Sequence, residues 1–100
     1  MDKKTALFKL TMARHRIERF GGIGLQEREI ITEDDYFSMD RKKAQAFLLN
    51  VITDLKNMRM EFEHTGRIEF RSRNYIKMFE QMGFVVQKNE YKYIATIKED

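Results

Sequence analysis

Apolar residues recur at the helical period in two long stretches. Over residues 3–20 they are Leu7, Leu10, Ala13, Ile17 and Phe20, spaced by threes and fours. Lys3, Lys4, Lys9, Arg14, Arg16 and Arg19 fill the rest of the circumference, so an amphipathic helix is predicted. Asp2 stands at its N-cap position, and Gly21 and Gly22 stop it because glycine accepts a left-handed C-terminal conformation. Over residues 41–64, Ala44, Phe47, Leu48, Val51, Ile52, Leu55, Met58 and Phe62 form one unbroken stripe. Asp40 caps this second helix and Gly66 follows it. Such a helix runs about 36 Å against about 27 Å for the first. The surplus predicts an apolar end at Leu55, Met58, Met60 and Phe62 that docks a partner or a second copy, since methionine-rich surfaces adapt.

Residues 21–39 read as a connector. Gly21, Gly22 and Gly24 give it a flexible start, and Glu27–Thr32 has strand-like composition around Ile30 and Ile31. Thr32 and Asp35 have the spacing of a capping box, predicting one helical turn over Glu33–Met39. Glu33, Asp34 and Asp35 would suit its positive end.

Beyond Gly66 the period changes to two. Arg67, Ile68, Glu69, Phe70 and Arg71 alternate, predicting a strand with Ile68 and Phe70 on one face. Ser72 or Asn74 then caps a short helix through Met82, carried by Tyr75, Phe79 and Met82 and ended by Gly83. Phe84–Gln87 and Tyr91–Ile97 predict a hairpin around Lys88, Asn89 and Glu90, with Asn89 supplying a positive φ. Tyr91, Tyr93, Ala95 and Ile97 share one face; Lys92, Ile94 and Thr96 share the other.

The predicted fold class is α+β: two antiparallel packed helices, one of them long, a short helix, and a small antiparallel three-stranded sheet with a C-terminal β-hairpin. It forms a single domain over 1–100, with helix 1 at 1–20, a connector at 21–39, the long helix at 40–65 and a β-α-β-β module at 67–97.

Composition adds exclusions. One hundred residues at 42% apolar content suffice for one core and no second domain. No apolar run approaches the ~18 residues of a membrane span, so no membrane partner is expected. The N-terminus lacks an apolar targeting segment, and cysteine is absent, so a cytoplasmic location is expected. Proline is also absent, which lets helices run uninterrupted. This compact makeup suits a phage or mobile-element accessory protein.

The net charge of +3 is unevenly spread. Residues 1–20 carry +4, residues 21–66 carry −3, residues 67–98 carry +4, and Glu99 and Asp100 add −2. If the two basic ends meet, they form a basic face.

Ser72 through Val86 resembles the end of a winged helix-turn-helix domain, in which a recognition helix runs through a glycine into the wing. The resemblance implies base contacts from Arg71, Arg73 and Lys77 and phosphate contacts from Lys88 and Lys92. Here the strand-like segment Arg67–Phe70 stands where that family has a second helix. Met78–Phe84 also looks like the last helix and strand of GNAT-type acetyltransferases. Arg19-Phe20-Gly21-Gly22-Ile23-Gly24 matches the letters of that family's pyrophosphate grip, although it follows a helix instead of a strand. That likeness implies acyl-coenzyme A binding near Gly22 and Gly24.

Other chemistry is sparse. His15 lies among basic groups, and His64 ends the long helix, where it faces the dipole. Glu33, Asp34 and Asp35 lack the spacing of a calcium loop. No nucleophile motif or P-loop is present. No catalytic residue, metal site or cofactor is therefore expected. Tyr91, Lys92 and Tyr93, with Phe70 and Arg71, would make a stacking platform for single-stranded bases if their face were open.

The leading expectation is a non-enzymatic, regulatory nucleic-acid-binding (DNA-binding) protein. Its basic face would hold Arg14, Arg16 and Arg19 with Arg71, Arg73, Lys77, Lys88 and Lys92. The alternative is a protein-protein interaction module, an inhibitor or adaptor, that docks a protein partner or forms a homodimer through the long helix's apolar stripe.

Overall fold

The computed structural model describes residues 1–98. Helix α1 (Lys3–Phe20) opens on Asp2, whose carboxylate accepts a hydrogen bond from Thr5 N at 2.7 Å. It closes where Gly21 N donates to Ile17 O at 2.8 Å, with Gly21 at φ 57°.

The next segment departs from expectation. Gly22–Glu27 is a short helix, α2, folded back on the end of α1. Gly24 makes this possible. A Cβ there would lie 2.8 Å from Ile17 Cα and 2.9 Å from Arg16 O, so only glycine lets the two backbones touch. The strand-like Ile30–Ile31 pair forms no strand. Instead α2 ends with Glu29 left-handed at φ 56°, Glu29 N donating to Gln26 O and Ile30 N to Leu25 O. This double bond is a Schellman closure, and it turns Ile30 into the core.

Thr32 Oγ1 accepts from Asp35 N at 3.1 Å and starts α3 (Glu33–Ser38), the expected turn. Asp40 accepts from Lys43 N at 2.8 Å and starts α4 (Arg41–Thr65). Its 25 residues span about 37 Å, nearly the 42 Å long axis of the molecule. Gly66, at φ 76°, ends it.

Strand β1 (Arg67–Phe70) leads into a 3₁₀ turn (Arg73–Tyr75) capped by Ser72, then α5 (Ile76–Gln81), β2 (Val85–Lys88) and β3 (Tyr93–Thr96). The sheet order is β1-β3-β2, with both pairings antiparallel. Ile68 pairs with Ala95 and Phe70 with Tyr93. Those side chains face the helices, while Arg67, Glu69, Ile94 and Thr96 face outward, as alternation requires. Phe70 stacks on Tyr93 at 5.4 Å, so Tyr93 belongs to the edge of the core; Tyr91 lies beyond the sheet, 83% exposed. The stacking platform is thereby reduced to Tyr91. The hairpin loop holds residues 89–92 and closes with Asn89 N donating to Lys92 O at 2.8 Å. Among the described residues Glu29 is the one non-glycine at positive φ, so this longer loop does not use Asn89 that way.

Helices α1 and α4 run antiparallel. Lys3 Nζ donates to Glu63 O at 2.6 Å, and Arg59 Nε to Thr11 Oγ1 at 2.8 Å. The predicted partner-docking end of α4 is corrected here. Leu55, Met58 and Phe62 are buried in the protein's own core, and only Met60 remains outside. The cause is chain reversal at Gly66. It lays the β-α-β-β module over the C-terminal half of α4, where Phe62 meets Phe84 edge-on at 5.5 Å. All buried α4 residues lie from Val51 onward, so the incompletely covered half is the N-terminal one.

Replacing Gly24 by Ala is expected to lower the unfolding free energy by about 1–3 kcal/mol, the usual cost of overpacking. Calorimetry should show a melting temperature lower by at least about 4 °C.

Candidate functional site

Of the eight predicted cations, three are held directly by acids among the described residues. Arg14 pairs with Glu18 at 3.1 Å. Arg16 grips Glu27 through Nε at 3.1 Å and Nη2 at 2.6 Å, and this bond holds the Glu27 carboxyl below its ordinary pKa. Lys92 donates to Glu69 at 2.8 Å; with Arg67, it keeps the Glu69 carboxyl low as well. Arg71 lines a pocket shared with Asp54, Glu61 and Glu69. Arg73 in the 3₁₀ turn and Lys77 on α5 lie across a groove from the connector's acids. Lys88 is exposed on the edge strand, and Arg19 lies 5.5 Å from the Phe20 ring. The acidic connector thus folds beside the basic module, which sequence alone could not place.

The groove facing Arg73 and Lys77 has a volume of about 700 Å³. Its floor includes Ile30, Ile31, Met39, Phe47 and Ile76; Glu29, Glu33 and Asp35 stand on the connector side, and Glu80 beside the two cations. On the other side of Met39 lies a depression of about 490 Å³, lined by Tyr36, Phe37, Arg41, Ala44, Gln45 and Leu48. Here the α1–α2 corner, α3 and the start of α4 converge. Gly21 approaches Leu48, and Gly22 lies so close to the Tyr36 ring that a Cβ would come within 2.6 Å of it. Tyr36 and Phe37 meet edge-on at 5.9 Å. Phe37 is 71% exposed, Ile23 62%, Leu49 56% and Phe20 42%.

Ile23, Tyr36, Phe37 and Leu49 were missed in the sequence because they fall in the connector or just off the main stripe. Phe37 and Ile23, large apolar residues in otherwise polar or glycine-rich stretches, were the available signal. The packing of Gly22 and Gly24 against Tyr36 and α1 also leaves no open backbone cradle of the acetyltransferase kind.

In the pocket beside Arg71, Tyr75 donates its hydroxyl to Asp54 Oδ2 at 2.6 Å. Burial, and then the Asp54 carboxylate beside it, push the Tyr75 hydroxyl far above the ordinary phenol range. Glu61 accepts from Glu69 N at 2.9 Å, joining α4 to β1. Among the described residues no group of three His, Asp or Glu side chains is placed to hold a metal ion.

No protein-family model matches the chain, and comparison with curated proteins and with solved structures finds no similar protein.

The Tyr75 pair gives a pH prediction with a definite sign. The folded state favours the neutral phenol, so its contribution is complete below the ordinary pKa of about 10 and is lost as pH rises beyond it. Tyr75→Phe should cost roughly 1–2 kcal/mol at neutral pH, the scale of a hydrogen bond to a charged group. Urea titrations at stepped pH should also show a shallower alkaline loss of stability in the variant.

Proposed function

We propose that this protein is a protein-interaction module, a binding protein and not a catalyst, that docks its partner through the end where α2, α3 and the start of α4 converge. One observation carries the reading. Phe37 is exposed at a depression that already holds half-buried Tyr36 and Leu48, and Phe20, Ile23 and Leu49 are exposed on the neighbouring ends of α1 and α2 and on α4. Single exposed apolar side chains are ordinary on protein surfaces. A group of them rimmed by charge has the makeup of an interface core, where a few large anchors carry most of the affinity. The long helix remains the docking element, as the sequence suggested, but through its opposite end.

Nucleic-acid binding is the second reading. It is supported by Arg19, Arg71, Arg73, Lys77 and Lys88, none of which has a carboxylate partner within 4.0 Å among the described residues. These cations are the ones available to phosphates.

Two measurements separate the readings. A photoreactive residue at Phe37 or Leu49, in the cells that make the protein, should give a discrete protein adduct; the same residue at Tyr91 should give none. Equal labelling at all three positions, or none at any, would count against the proposed docking end. Fluorescence anisotropy with labelled duplex DNA, single-stranded DNA and RNA should show no steep salt dependence. A log–log slope near −0.9 per neutralised phosphate on duplex DNA would instead favour the second reading.

A further inference from the structure

Thr32 and Met39 are both extended, at ψ 158° and 144°, and α3 stands between them with few ties to the rest of the molecule. Among the described residues, the hydrogen bonds of residues 32–39 are all internal to that segment. Tyr36 N donates to Thr32 O at 3.0 Å, Met39 N to Tyr36 O at 3.2 Å, Asp35 N to Thr32 Oγ1 and Ser38 Oγ to Asp35 O. Among the described residues no ion pair ties Glu33, Asp34 or Asp35 to another element. No residue of α3 is buried, and within residues 32–39 only half-buried Tyr36 packs against the core. A helix of six residues does not hold itself together in water, so the place of α3 depends on that one ring.

The ring lies in a notch that glycine leaves open. A Cβ on Gly22 would come within 2.6 Å of Tyr36 Cε1, 2.7 Å of Cζ and 3.1 Å of Cδ1, and these are its three nearest neighbours. Gly22 is not among the glycines at positive φ, so its backbone suits any residue. The Tyr36 ring is what excludes a side chain there.

The segment also divides two depressions. Ala44 and Leu48 of α4 line the one on its first side, Phe47 lines the groove on its other side, and Met39 borders both. We propose that α3 is a strap that opens as a unit while the rest of the chain stays folded. The Tyr36 ring at Gly22 is its latch, and opening uncovers Ala44, Phe47 and Leu48. Local opening of this kind draws on the part of a fold with the fewest buried contacts. With the strap away, the groove and the depression join into one trough along the first turns of α4. The opening follows from the strap's own attachment and stands whether or not this end docks a partner. If it does, the latch governs how much of α4 the partner meets.

Native-state hydrogen exchange tests this. The Tyr36 and Met39 amides should be protected, but with protection factors about a hundredfold or more below those of α4 between Val51 and Phe62. Gly22→Ala should lower the α3 protection about tenfold further and leave that of α4 unchanged, because alanine is the better helix former and the ring alone is displaced. Tyr36→Ala should do the same without altering α2. The chain has no cysteine, so a single thiol introduced by Ala44→Cys reports the uncovering. Adding Tyr36→Ala should speed its reaction with a thiol reagent about tenfold, whereas the thiol of Asn50→Cys, at an exposed position, should react at the same rate in both backgrounds. Exchange of α3 no faster than that of α4 overturns the strap, since the segment then opens only with the whole fold. Complete absence of α3 protection overturns it too, since the strap is then not closed. Protection of α3 that neither Gly22→Ala nor Tyr36→Ala changes overturns the latch. Equal loss of protection in α3 and α4 in both variants also overturns the proposal, because Tyr36 then belongs to the global core.

Discussion

The structure depends on a run of aromatic contacts that fastens the C-terminal module to the long helix. Phe62 of α4 meets Phe84 edge-on at 5.5 Å, and Phe84 meets Phe79 at 5.3 Å. Phe79 packs on Phe70 at 4.9 Å, and Phe70 stacks on Tyr93. One helix, one crossover helix and two strands are joined through five rings. Each such pair contributes about 0.5–1.5 kcal/mol beyond the area it buries. The sheet has only three strands and one covered face, so it has little stability without this attachment.

That attachment decides which part of α4 is left over. The module takes the helix from Val51 to its C-terminus, and α1 lies antiparallel to it from Glu63 as far as Leu48. The N-terminal turns hold no fully buried residue; Ala44, Phe47 and Leu48 are half-buried there. Gly24 draws α2 against α1, and Gly22 admits the Tyr36 ring. The result is an end with apolar side chains set between depressions. The proposed docking function is therefore a consequence of where the core ran out of covering elements.

The same folding disperses the positive charge. The chain's basic ends and acidic middle suggested separate surfaces, but the connector turns back along α5. Glu29, Glu33 and Asp35 come to line the groove that Arg73 and Lys77 enter, and Glu27 and Glu69 hold Arg16 and Lys92 directly. Interleaved charges of opposite sign produce a weaker long-range field than segregated ones, and surface pairs of this kind add little to stability.

What the sequence determined by itself is local. Asp2, Thr32, Asp40 and Ser72 cap the elements they precede, and Gly66 and Gly83 end the elements they follow, because capping bonds and left-handed turns involve residues a few positions apart. The two apolar stripes and the alternation in β1 and β3 were equally legible, since periodicity is a property of a single segment. Tertiary structure decided the rest. Ile30 and Ile31 had strand composition, but the Schellman closure at the end of α2 sends Ile30 into the core instead. Leu55, Met58 and Phe62 were indistinguishable in pattern from Ala44, Phe47 and Leu48. Only the reversal at Gly66 buried the first group and left the second half-covered, because burial depends on what the remote chain brings to a face and not on the face alone.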